Sequence, residues 1–138
     1  MPYIEDKNIR GFLDDYVVTF LCHNYNIIND LAVSFSSLFD ITGCLNYFLF
    51  KLAKHKKYVP SYTSFYLFIK KLVKINCKCY ADYQSFMGEL TCAKKEIERR
   101  LGRDNEIAYY LESTIDTIYD EIITPYENKK IKENGDIK

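Results

Sequence analysis

Lys51, Lys54, Lys70, Lys71 and Lys74, joined further along by Arg99 and Arg100, are the side chains of this sequence with the chemistry and spacing to hold an anion. Residues 51 to 80 carry eight lysines and not one Asp or Glu, so a formal net charge of zero hides a cationic middle between two acidic flanks. Such a stretch attracts phosphates, or docks on an acidic face of its own fold or of a second copy. Lys51 and Lys54, with His55 or Lys57, share one side of a helical run, and Lys70, Lys71 and Lys74 share a side of the next. An antiparallel hairpin of the two runs brings Lys51 toward Lys74. Tyr58, Tyr62 and Tyr66 lie between them, aromatic faces suited to a phosphate-bearing small molecule or a single strand of nucleic acid. Lysine lacks the forked donors of arginine, which argues against base readout and disfavours nucleic acid. The competing reading is a solvated face or a subunit contact.

A second constellation is acidic. Glu89 and Glu96 lie seven residues apart on one helix face, and Glu112, Asp116 and Asp120 step by four along the next. If the faces met, the carboxylates would hold magnesium over a phosphate, as in helical nucleotide phosphohydrolases. The paired acids at that class's spacing are missing, and any solvated helix face with Lys and Arg neighbours reads the same way. Cys77-Lys78-Cys79 supplies two metal ligands where a tetrahedral site needs four, and it lacks the two-residue spacer of a redox pair. His23 and His55 complete no nucleophilic triad, and no glycine-rich phosphate loop is present. The sequence therefore points to no catalytic residue, no metal and no cofactor.

These groups must be positioned by helices. At 138 residues, with 48% apolar and 28% charged side chains, the chain has the make-up of one folded domain. Ile9, Phe12, Leu13, Tyr16, Val17, Phe20 and Leu21 recur at three-four spacing, and Ile27, Ile28, Leu31, Ala32, Phe35, Leu38 and Phe39 form the inward side of a second run. Leu45, Phe48, Leu49 and Leu52 follow Gly43. Phe65, Phe68, Ile69, Leu72 and Val73 follow a Val59-Pro60-Ser61 break with Ser61 as cap. Asp82 caps a fifth run through Phe86, Leu90, Ala93 and Ile97, stopped by Gly102. Asp104 opens a sixth through Ile107, Leu111, Ile115, Ile118 and Ile122, closed at Thr124-Pro125. The expectation is an all-α bundle of five or six helices over residues 1–125 and a polar tail, 126–138, packed on the domain or on a neighbouring subunit. A small sheet from residues 58–67 and 74–81 is the competing detail. The odd, irregularly spaced set of five cysteines reads as reduced thiols, mostly in the core, in a cytoplasmic protein. No leader is recognisable, and no apolar run reaches the roughly 18 residues of a membrane span.

Met1-Pro2-Tyr3-Ile4, the segment Gly43 to Tyr47, the run Gly88 to Arg100 and the closing stretch Pro125 to Asp136 resemble a family of small uncharacterised proteins found in bacteria and tailed phages. The resemblance covers about half of the chain, and it carries over no activity and no catalytic residue. It implies that Asn46, Tyr47, Glu89, Glu96, Arg99, Arg100, Tyr126, Glu127, Asn134 and Asp136 belong to a shared structural pattern. Typical members run almost directly from the paired arginines to Pro-Tyr-Glu, so residues 101–124 stand as an insertion. The leading expectation is a non-enzymatic, homo-oligomeric binding or assembly protein, phage-encoded and cytoplasmic in its host, capturing a phosphorylated or nucleotide-like ligand. A magnesium-dependent phosphohydrolase and a structural virion protein are the alternatives.

Overall fold

The structure, a computed structural model, describes residues 6–22, 25–38, 43–55 and 60–125. Three of the helices, α1, α4 and α6, begin where a side chain accepts from the unpaired amides of the first turn. α1, Lys7–Cys22, opens on Asp6, whose Oδ1 accepts from the amides of Asn8 at 2.8 Å and Ile9 at 3.3 Å. α2, Tyr25–Phe35, runs into a 3-10 turn at Ser36–Leu38. α3, Cys44–Lys54, follows Gly43, whose φ of 89° lies in the left-handed region that favours glycine. α4, Tyr62–Asn76, is capped by Ser61 as the sequence suggests, the hydroxyl accepting from the Ser64 amide at 3.2 Å.

Two caps fall elsewhere than expected. α5, Tyr80–Leu101, starts from Cys79, and Asp82 sits inside the first turn, reaching back to the Lys78 amide at 2.9 Å. This bond and one to the backbone of the cap residue Cys79 hold the Asp82 carboxyl below its ordinary range, the Lys78 bond foremost. α6, Glu106–Ile118, is capped by Asn105 and not Asp104: Asn105 Oδ1 accepts from Ile107 and Ala108, while its Nδ2 donates to the Ala53 carbonyl at the end of α3. A π-helical turn at Tyr119–Ile123 continues α6. Its wider winding moves the buried position from Ile122 to Ile123, which is fully enclosed. Thr124 keeps helical backbone angles, φ −60° and ψ −46°, so Pro125 does not end the helix where the sequence suggests.

α2 lies along α4, α1 packs on α3 and α2, and α5 packs on α3 and α6. Phe20, Phe35, Phe48 and Phe68, one each from α1, α2, α3 and α4, meet at the centre. The Phe48 and Phe68 rings are 5.3 Å apart, Phe35 and Phe48 5.3 Å, and Phe20 and Phe68 5.3 Å. The rings are tilted or edge-on, the arrangements that aromatic quadrupoles favour. α3 and α4 meet through these rings and do not lie side by side as a hairpin. No strand occurs among the described residues, and the stretch 62–69 is helical. No described helix is long and apolar enough to cross a membrane. Phe12 is the clearest departure from the expected faces: it is 55% exposed, because Leu13, Val17 and Phe20 define the buried side of α1.

Phe48→Ala is expected to cost about 3–5 kcal/mol of stability by deleting a ring that three others pack against, whereas Phe12→Ala changes stability by about 0.5 kcal/mol or less. Urea midpoints of the two variants check this, and equal losses would contradict the assignment of the core.

Candidate anion-binding site

Leu67, Lys70, Lys71 and Lys74 stand at the spacing of one helix side and turn toward α2. Ile28 and Asn29 of α2 complete the walls, and the six residues enclose a groove of about 210 Å³. The contact of α2 with α4, fixed where Phe35 meets Phe68, makes this groove. Ile28 is buried, Leu67 half-buried, and Lys70 and Lys74 are exposed. No carboxylate lines the groove, and none of its three lysines is ion-paired among the described residues. Lys70 rests its Nζ 5.7 Å from the ring centre of Tyr66, one turn earlier.

The other cations that the sequence groups with these go elsewhere. Lys51 lies over the Tyr47 ring at 5.4 Å, and Tyr47 donates its hydroxyl to Asp14 Oδ1 at 3.0 Å, tying α3 to α1. Burial, and then the Asp14 bond, push the Tyr47 phenol up to about 12. Lys54 and Arg100 each sit 5.9 Å from the centre of the Phe50 ring, joining the ends of α3 and α5. Glu96 accepts from both Arg99 and Arg100, and these bonds, Arg99 first, hold its carboxyl below the ordinary range. The seven expected cations thus form two groups, because α5 and not α4 lies beside α3. Lys56, Lys57 and Tyr58 lie outside the described residues.

The acids do not assemble. Among the described residues no three His, Cys, Asp or Glu side chains are placed to hold a metal ion. Glu96 is committed to arginines, and Glu112, Asp116 and Asp120 face outward on α6 and its π turn. Desolvation raises the Glu89 carboxyl although much of its side chain remains exposed. Of the thiols, Cys44 and Cys77 are buried while Cys79 and Cys92 are exposed, so only part of the set serves the core. Burial, foremost, pushes Cys77 up to about 12 and leaves it an inert thiol. Asn46 keeps a buried Oδ1 that has no hydrogen-bond partner among the described residues. Tyr126, Glu127, Asn134 and Asp136 lie outside the described residues.

Two further hollows are less suited to an anion. One of about 320 Å³, between the end of α3 and the start of α6, carries Asp104 and Glu106 on its wall beside His55. Acids belong at a helix start, where they complement the unpaired amides. The other, about 310 Å³ at the end of α5, is lined by Lys95, Arg99 and Arg103 but also by Glu98, which pairs with Lys94 at 3.6 Å.

The described residues thus form an all-α bundle with a lysine-lined groove between α2 and α4. The chain belongs to the family described as a domain of unknown function (DUF6899), which matches residues 1–137. No curated protein and no solved structure matches it. Of the groove, the lysines are legible in the sequence; Ile28, Asn29 and Leu67 are not, since only the pairing of α2 with α4 recruits them.

Beside the groove, Tyr66 donates its hydroxyl to Glu121 Oε2 at 2.8 Å, and its phenol is pushed up to about 12, first by burial and then by Glu121. A free phenol loses its proton near pH 10. The folded protein therefore holds this proton more tightly, and the contribution is fully present below about pH 10 and lost as pH rises toward about 12. In an alkaline titration followed by phenolate absorbance, Tyr66→Phe is expected to remove one late-titrating tyrosine. An unchanged late phase would contradict this bond.

Proposed function

We propose that the protein is a non-enzymatic binding protein that captures a compact phosphorylated small molecule in the groove between α2 and α4. The observation that carries this reading is the convergence of Lys70, Lys71 and Lys74 on one groove with no acid on its walls. Three ammonium groups on neighbouring positions repel one another, and a bound phosphate relieves that repulsion while accepting charge-assisted hydrogen bonds from each. Ile28 and Leu67 give the groove an apolar wall, and Asn29 offers an amide to a hydroxyl of the ligand. The lining named for the groove carries three cations and no acid, the charge balance that a phosphate group answers. At about 210 Å³ the groove is smaller than the roughly 300–1,000 Å³ of sites that enclose drug-sized ligands. It takes a phosphate and a few attached atoms.

The unpaired thiols Cys44, Cys77, Cys79 and Cys92 support a cytoplasmic setting. A second reading, assembly into a homo-oligomer, is favoured by the exposed Phe12 and Val18 of α1 and Val33 of α2, helices that pack on each other.

Isothermal titration at low salt with inorganic phosphate and with glycerol 3-phosphate tests the leading reading. The triple substitution Lys70→Glu, Lys71→Glu, Lys74→Glu is expected to weaken binding by at least ~10-fold, about 1.4 kcal/mol, while Lys51→Glu with Lys54→Glu leaves it unchanged. Equal affinities of wild type and the triple variant would overturn the assignment.

A further inference from the structure

Tyr62, Tyr66, Lys70 and Lys74 follow one another at four-residue steps along α4, so two aromatic rings lead directly into two of the groove's cations. Tyr62 and Tyr66 stack with centres 6.1 Å apart and planes 22° from parallel. The Tyr62 ring meets Tyr110 of α6 edge-on at 5.4 Å. Tyr66 is held by its hydroxyl to Glu121, and the Lys70 ammonium lies against its ring. Each step of this ladder rises about 6 Å and turns about 40°, so it leads from the groove toward α6.

We infer that the ligand is a nucleoside phosphate, held with its phosphate among Lys70, Lys71 and Lys74 and its base against Tyr66. This rests on the phosphate reading of the groove. The groove is too small to enclose a nucleoside, so the remainder of the ligand lies along the surface, and Tyr66 is the aromatic ring that a groove lysine itself touches. Lys70 is the hinge of the arrangement. Its contact with the ring of the half-buried Tyr66 is weak beside a charge-assisted bond to phosphate. A phosphate in the groove draws the flexible ammonium down and uncovers the ring, which then takes the base. One helical turn separates the phosphate position from the ring, a gap that the sugar of a nucleotide bridges. Stacking of this kind tolerates any base, so the site selects nucleotides as a class.

Titration of the full chain with adenosine monophosphate and with glycerol 3-phosphate separates the base from the phosphate. Wild type is expected to bind the nucleotide ~10-fold more tightly. Tyr66→Leu is expected to erase that advantage while leaving the glycerol phosphate affinity in place, and Tyr66→Phe, which keeps the ring and drops the Glu121 bond, is expected to retain it. If wild type binds both ligands equally, or Tyr66→Leu weakens both alike, the inference fails and the phosphate site stands. If neither ligand binds wild type, both readings fall. Should Tyr66→Leu not fold, the wild-type ratio and Tyr66→Phe still decide.

Discussion

Phe20, Phe35, Phe48 and Phe68 meet at the centre of the bundle and tie α1, α2, α3 and α4 together. Four helices contribute one ring each, and none of the four rings is more than 2% exposed. Because large aromatic side chains bury more apolar area than any others, the helices order themselves around this point. Phe35 against Phe68 sets α2 along α4, and that pairing creates the groove. α4 is also what makes the groove cationic. Its inner side is Phe65, Phe68, Ile69, Leu72 and Val73, so Lys70, Lys71 and Lys74 are left on the remaining face.

Charge is sorted by the same packing. The cations of α3 and the end of α5 have aromatic faces or carboxylates to answer them: Tyr47 under Lys51, Phe50 under Lys54 and Arg100, Glu96 between Arg99 and Arg100. The lysines of α4 receive only Tyr66, beneath Lys70, among the described residues. Within the described part of the acid-free stretch, the two lysines of α3 thus lie over aromatic rings, while the three lysines of α4 line the groove.

Much of the helical layout is legible in the sequence because three-four apolar spacing and caps such as Ser61 act locally. The errors fall where local signals compete or where tertiary contact decides. Asn105 and Asp104 are both good caps, and Asn105 wins because its amide also reaches the Ala53 carbonyl of α3. Ile122 continues the regular spacing, but the π turn at Tyr119–Ile123 hands its place to Ile123. Phe12 fits an apolar pattern yet lies outside the arc that the core accepts. The lysine groups on α3 and α4 are each visible as helix faces, whereas their separation follows from α5 taking the place beside α3. Sequence spacing does not encode that choice of neighbour.

The proposal places an anion between α2 and α4. Mapping of amide chemical shifts in isotope-labelled protein on addition of inorganic phosphate tests it most directly. The shifts are expected to concentrate at Ile28 and Asn29 and between Leu67 and Lys74. Shifts centred on Lys95 to Arg103 at the end of α5, or none at all, would contradict it.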